Sequence, residues 1–443
     1  MNESHDYDCL IIGGGLAGLT CGLACLEAGL SCAVVSSGMS ALHFSSGSID
    51  LLGYNADRTL ATSPVDALPG FIEKNPDHPY ARCGAETIME AMAFFGRELE
   101  AQSAPMYANG RENHFHITAM GTLKPTFLSP ASVFTREIRA AFEKRPAIAI
   151  LDVKGFRDFH PGLAAANLRK NKLFADCPIT CGEIELPGQT PAAGGARDMR
   201  SVDVARILDA TTNLEAVAGA ITAAAGRADI VALPAFLGLN RYQEILAGLR
   251  RATGRLIYEI PTLPPSILGM RLDQALKSRF AALGGVFIAR DTVDAGRIED
   301  NQVISVHTTG QKDDIRAACY VLASGSFFSK GLVSRYDRMF EPVFDCRLDT
   351  PPDGRSLSGA AFLSPESHAF IRAGVITDGQ LNPQTADGRT IANLFCAGAV
   401  LAGYNPVIEG CGGGVAIATG YAAAKAIRAR LHPPQPTATA GPQ

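Results

Sequence analysis

Short apolar runs alternate with stretches of helical period along most of the chain, the pattern of an α/β protein. The first run, Cys9 to Ile12, leads into Gly13, Gly15 and Gly18; a helical pattern continues to Ala28, Gly29 closes it, and a second run spans Cys32 to Val35. That predicts a βαβ unit. Helical patterns recur around 85–103 and 131–144, and strand-like runs at AIAILDV (147–153) and DIVALPAFLGL (229–239). The segment LPGQTPAAGGARD (186–198) reads as a loop. Pro261, Pro264 and Pro265 then predict a rigid extended piece, followed by a helix from Gly269 to Leu283 with Leu272, Leu276 and Phe280 on one face. Short strands near 286–290, 302–308 and 318–323 predict a small β-meander. A last strand, Leu394 to Ala397, precedes a helix running to about Arg430.

The glycines add chemistry to this pattern. Gly13, Gly15 and Gly18 carry the G-x-G-x-x-G spacing between a strand and a helix, with Gly14 among them. In that context they give a tight turn, a close approach for phosphate and close helix–strand packing. The helix N-terminus then offers unpaired N–H groups and a positive dipole end to an anion. Gly412, Gly413 and Gly414 open the last helix in the same way, after Gly398 ends its strand. Between them, Ser45, Ser46, Gly47 and Ser48 form a polar loop suited to donate to a phosphate or a ring. His43 reads as a satisfied loop histidine, with a place over a redox ring as the alternative. The acid expected after the second strand to hold an adenosine ribose is missing; Ser36 and Ser37 stand there. No Lys or Arg lies beside them, so NADP is not favoured.

Composition narrows the class. A 443-residue chain with 47% hydrophobic and 19% charged residues suits a globular protein of two or three domains. A net charge of −4 gives no sign of nucleic-acid binding. Eleven cysteines include no C-x-x-C pair. Cys21 and Cys25 are expected to face the core, and reduced thiols imply a reducing compartment. No metal site is expected. His114 and His116 read as an exposed strand edge, and Arg271 as a solvated or ion-paired surface residue. No signal peptide or membrane span is visible.

The N-terminal glycine fingerprint, VLASGS (321–326) and NLFCAGAVLAG with EGCGGGVAIATG (393–403 and 409–420) resemble, in this order, the flavoproteins of the fumarate reductase and succinate dehydrogenase type. More closely, GGGLAGLTCGL, SALHFSSGSIDLL, HPY, EIELP, PTLPPSILGMRL, LASGSFFSKGLV and GCGGGVA resemble the B-subunit family of anaerobic glycerol-3-phosphate dehydrogenases. The resemblance covers roughly residues 6 to 430. It implies a Rossmann-like flavin-binding domain with parallel sheet and meander (1–54 and 256–431), an inserted α/β cap or substrate domain (55–255) and a disordered tail (432–443). It further implies oxidation of sn-glycerol 3-phosphate to dihydroxyacetone phosphate with electrons passed to quinone. The implied partners are an FAD-containing A subunit and an iron–sulfur, membrane-anchoring C subunit, on the cytoplasmic side of the inner membrane. The implied cofactor is FMN, which fits the missing acid and Ala399 after Gly398; FAD is the alternative. No general base is assignable. A stand-alone fumarate-reductase-like oxidoreductase and a flavin-free scaffold are the other readings.

Overall fold

The computed structural model describes residues 6–187, 198–336, 338–350, 357–362, 364 and 366–433. The tail beyond residue 433 and most of the 186–198 loop lie outside these. The chain forms two compact units, one of residues 1–40, 68–98 and 276–443, the other of residues 41–67 and 99–275. These bounds differ from those read in the sequence. Residues 68–98 belong with the first unit, and 41–54 and 256–275 with the second.

The first unit is built on a parallel sheet of five strands: β1 (Tyr7–Ile12), β2 (Cys32–Ser36), β3 (Val286–Ala289), β4 (Ala317–Leu322) and β5 (Leu394–Cys396). Their order is β3-β2-β1-β4-β5. β1 pairs with β2 in register Cys9 to Cys32 and with β4 in register Cys9 to Cys319. Its last four residues are buried, as a strand covered on both faces must be. The predicted meander is corrected here. The runs at 286–290 and 318–323 are β3 and β4 of this sheet, and the antiparallel hairpin is Val293–Glu299 with Gln302–Thr308. The half-exposed edge strand β3, the buried strand β4 and hairpin strands share the same short-run signature, so pattern alone does not separate them.

Helix α1 (Leu16–Glu27) packs on β1, and α4 (Gly412–Leu431) packs on α1. Two shorter helices, α2 (Pro79–Cys83) and α3 (Pro406–Glu409), complete the elements used below. The α1–α4 interface depends on missing side chains. A Cβ on Gly420 would lie 2.4 Å from the carbonyl oxygen of Ala17; away from that interface, one on Gly22 of α1 would lie 2.6 Å from the Phe280 ring. Cys21 and Cys25 face the core, fully buried with Cys9 and nearly so with Cys32.

The second unit holds a four-stranded parallel sheet, ordered Leu256–Ile260, Ile230–Pro234, Ile148–Val153, Ile179–Ile184. Its two central strands are entirely buried. Two surface readings are corrected in this unit. Arg271 is buried at 7% exposure and forks onto Glu259, which is 0% exposed, at 2.6 and 3.1 Å. A buried carboxylate of this kind needs its cation; sequence spacing could not reveal the partner twelve residues upstream on a strand. His114 and His116 also turn inward, leaving Phe115 outward. The alternation was read correctly and its face inverted.

Burial pushes both histidines down to about 3. For His116 the charges of Lys124 and His114 add to that. Both stay neutral in the fold but take up protons in the unfolded chain below its pKa of about 6.5. Their folded pKa is depressed, so full stability is present above about pH 6.5 and is lost as pH falls towards 3. The expected loss is about 1.4 kcal/mol per pH unit for each histidine. Denaturation curves at pH 7 and pH 5.5 should show it, and His116→Leu should remove about half of the part that these two histidines contribute.

Candidate functional site

Gly13 sits at φ +118°, and a Cβ there would fall 2.2 Å from the carbonyl oxygen of Ala323. Only glycine permits this turn out of β1. Gly18 is equally constrained: its Cβ would meet the Gly13 carbonyl at 2.0 Å. Gly14 lies against Ser36 and the Phe287 ring. Gly15 is different. Around its would-be Cβ only Ser40 Cβ approaches, at 4.0 Å. The close contacts of Gly13 and Gly18 therefore build the turn, while the space beside Gly15 is a cradle that a side chain would fill.

Gly15 is also the N-cap of α1, in extended conformation, with no side-chain cap and no acid in the first turn. The first free N–H groups of α1 thus have no partner from a capping side chain. α4 repeats the arrangement. Cys411 is its N-cap, no side chain caps it, and its first turn holds Gly412, Gly413 and Gly414 with no acid. Gly398, at φ +76°, packs on Ala17 and donates its N–H to Thr419 Oγ1 at 2.8 Å, which seats the end of β5 between the two helices. Eight residues of α4, about 12 Å of helix, precede the contact of Gly420 with Ala17, against one residue of α1. Two positive helix ends therefore stand at the carboxyl end of one parallel sheet, at two depths. This is an arrangement for a ligand with an anion at one end and a second electron-rich group further along.

Among the described residues, the acid bonded beside Ser36 is Asp291, and it is already engaged. Ser36 Oγ donates to the Gly38 carbonyl at 3.2 Å. Asp291, whose N–H bonds to the Ser36 carbonyl, spends its carboxylate on Thr308, Thr309 and the amides of Thr292 and Gly310. Burial opposes that charge, and these donors outweigh it and hold its pKa below the usual range. Ala399 is exposed.

Ser45, Ser46, Gly47 and Ser48 lie in the second unit, not with the glycines of the first. There Ser45 Oγ donates to Leu42 O, Ser46 Oγ accepts from the Ser48 amide, and Ser48 Oγ meets Ser129 Oγ at 2.8 Å. Ser129 Oγ is in turn 2.8 Å from His114 Nε2. Gly47, at φ +70°, packs against Leu268. His43 Nε2 lies 3.1 Å from Asp273, while its Nδ1 is buried without a partner.

Sequence reasoning passed over one cluster in the first unit. Glu409 Oε2 lies 3.3 Å from His78 Nε2 and 3.4 Å from Cys411 Sγ, and accepts from the Asn405 amide at 2.9 Å. Arg372 Nη1 is 3.8 Å from Glu409 Oε1. His78 is buried at 1% exposure among the rings of Phe71, Tyr80 and Tyr404. Three groups of these types within 4.8 Å of one another have the make-up of a metal site. The tautomer decides otherwise. His78 Nδ1 accepts the Tyr80 N–H at 3.0 Å as the N-cap of α2, so Nε2 carries the proton and has no lone pair for a metal. The cluster is a hydrogen-bond network centred on a carboxylate. Its signal was present in the sequence as HPY and EGC, but 333 positions separate His78 from Cys411.

The parallel sheet, the glycine turn and the two uncapped helix ends are those of a flavoprotein. Residues 8–415 match the family model described as FAD binding domain, to which the chain belongs. Within it, the chain belongs to the family of anaerobic glycerol-3-phosphate dehydrogenase B subunits. That of Vibrio cholerae is 37% identical over 425 residues, covering 96% of this chain and 97% of its own. That of Pectobacterium atrosepticum is 38% identical over 425 residues, covering 95% and 98%. Among solved structures, an Escherichia coli quinol fumarate reductase chain aligns over 99% of this chain and 71% of its own, at 10% identity and a TM-score of 0.41. The flavin cofactor expected from the sequence is supported by the family.

Gly15→Asp separates fold from ligand. The carboxylate caps α1, so the flavin-free protein should hold or gain about 0.5–1 kcal/mol. The same charge fills the cradle, and flavin occupancy after purification should fall at least about tenfold. Gly13→Ala should instead destabilise the protein itself by about 2 kcal/mol or more, because its Cβ meets backbone. Denaturation curves and flavin absorbance per chain read both.

Proposed function

We propose that this chain is the flavin-carrying B subunit of an anaerobic glycerol-3-phosphate dehydrogenase that passes electrons to quinone. The carrying observation is the near-complete overlap with B subunits from Vibrio cholerae and Pectobacterium atrosepticum, over a fold that keeps both uncapped glycine helix ends. The reaction converts sn-glycerol 3-phosphate to dihydroxyacetone phosphate, removing two electrons and two protons from C2 and its hydroxyl. Flavin, when bound, supplies the link between a two-electron alcohol oxidation and one-electron carriers. Gly13, Gly14, Gly15 and Gly18 would hold its phosphate at the α1 N-terminus. Gly398 would line its approach, and Gly412, Gly413 and Gly414 would present α4 amides to negative charge on the reduced ring. Ser45, Ser46, Gly47 and Ser48 remain candidates for contacts from the second unit.

The cofactor we favour is FAD, on the family match. FMN is the second reading, favoured by Ser36, by Ala399 and by the engagement of Asp291 with its own loop. Among the described residues no helix is long and apolar enough to cross a membrane. Partner subunits, one with FAD and one with iron–sulfur clusters, would then hold the complex to the cytoplasmic face of the membrane and carry electrons onward.

Heat release of the cofactor followed by chromatography should give one FAD per chain; FMN instead reverses the choice, and a colourless protein removes the reading. Affinity purification from anaerobically grown cells should co-isolate a dehydrogenase subunit and a cysteine-rich subunit. Deleting this chain should abolish glycerol-3-phosphate:quinone turnover, and full turnover without it rejects the assignment.

A further inference from the structure

The network around Glu409 stands three residues before the first residue of α4 and contains the N-cap of that helix, Cys411. Its hub is a carboxylate with 9% exposure, reached by His78, Cys411 and the Asn405 amide on one oxygen and faced by Arg372 at 3.8 Å on the other. Each of the first three donates a hydrogen bond without bringing a net charge. The Tyr80 amide fixes the His78 proton on Nε2, facing Glu409. Burial, joined by the Arg372 charge, lowers the His78 pKa despite Glu409, so the imidazole stays neutral at neutral pH. Among the described residues the cation paired with Glu409 in this way is Arg372, which is 55% exposed and spends Nη2 on the Gly403 carbonyl. The carboxylate is therefore well solvated by donors and incompletely neutralised. It sits beside a helix end whose positive potential is the device for holding negative charge.

We propose that Glu409 is a positioning residue whose charge moderates the α4 N-terminus and so sets how strongly this site favours reduced flavin over oxidised. This rests on the placement of the flavin ring at α4 made under Proposed function. Taking up two electrons and one proton leaves the flavin with one net negative charge, and a nearby carboxylate opposes that charge. Arg372 offsets the carboxylate from the solvent side. His78 and Cys411 hold the carboxylate in place, and the rings of Phe71 and Tyr404 shield that arrangement from water.

The test is the midpoint potential of the bound flavin, measured by dithionite titration against a reference dye. Glu409→Gln can keep an acceptor oxygen for His78, Cys411 and Asn405 while removing the charge. It should move the equilibrium about tenfold towards reduced flavin, a rise of ~30 mV for a two-electron couple. Arg372→Gln, at an exposed position, should move it the opposite way. Opposite shifts are the signature, because a purely structural role predicts lost flavin or lost stability in both. The inference is overturned if Glu409→Gln keeps its flavin at an unchanged potential, or if both variants shift together. Should Glu409→Gln not fold, Arg372→Gln alone decides, and no downward shift overturns it. A flavin-free wild-type protein would instead overturn the functional reading beneath it; flavin-bound wild type with unmoved variants rejects only this inference.

Discussion

Everything at the ligand end of the first unit depends on backbone meeting backbone. A Cβ at Gly18 would stand 2.0 Å from the Gly13 carbonyl, and one at Gly420 2.4 Å from that of Ala17. Any side chain at either place would push α1 off β1 or α4 off α1. With both absent, α1 lies close enough to its strand for the turn at Gly13 to aim the helix end outward, and α4 lies close enough to α1 for the two to share a direction. Interiors pack to crystal-like density, so such approaches admit little relaxation. The two positive helix ends are consequences of that packing rather than separate features.

The glycines divide by what surrounds them. Gly13, Gly18, Gly398 and Gly420 are required by contacts inside the fold, so their presence would follow even in a chain that bound nothing. Gly15 is not so required, and neither is the absence of a cap on α1 or α4. A helix start normally gains about 1 kcal/mol from Ser, Thr, Asp or Asn. Forgoing that twice at one sheet end is the mark of a ligand that supplies the missing partners. The flavin reading rests on those two omissions and on the family, while the turn itself argues only for the fold.

The sequence disclosed the βαβ unit, the closing strand and helix, and the glycine cradle, because each is local: strand, turn and helix are contiguous and their periods differ. It did not disclose what pairs across the chain. β3 and β4 looked like meander strands because a strand's partners are not written in its own residues. Arg271 looked like a surface residue, solvated or ion-paired, because Glu259 lies on a strand of the second unit's sheet, and His114 and His116 looked exposed because alternation gives two faces without saying which is inner. The units divide at residues other than those expected since residues 68–98 return to the first, placing His78 beside Cys411. A cluster assembled from positions 78, 372, 409 and 411 leaves no spacing to read.

Two buried carboxylates show how the protein treats charge according to purpose. Glu259 is sealed at 0% exposure, and its charge is met by the forked guanidinium of Arg271 and by the Leu237 amide. Burial opposes its ionisation, yet Arg271 and the hydrogen bonds together hold its pKa below the usual range. Removing either partner would strand a charge in the core, so the pair acts as a fixed joint. Glu409 is held by neutral donors, and the cation beside it, Arg372, is 3.8 Å away and half in water. A joint needs charges cancelled at contact distance. A group that acts on a neighbouring ligand needs a charge that is not cancelled, since a cancelled charge has no field left to exert. Of the two, only Glu409 meets that second condition, and it does so next to the helix end where a reduced flavin would place its charge.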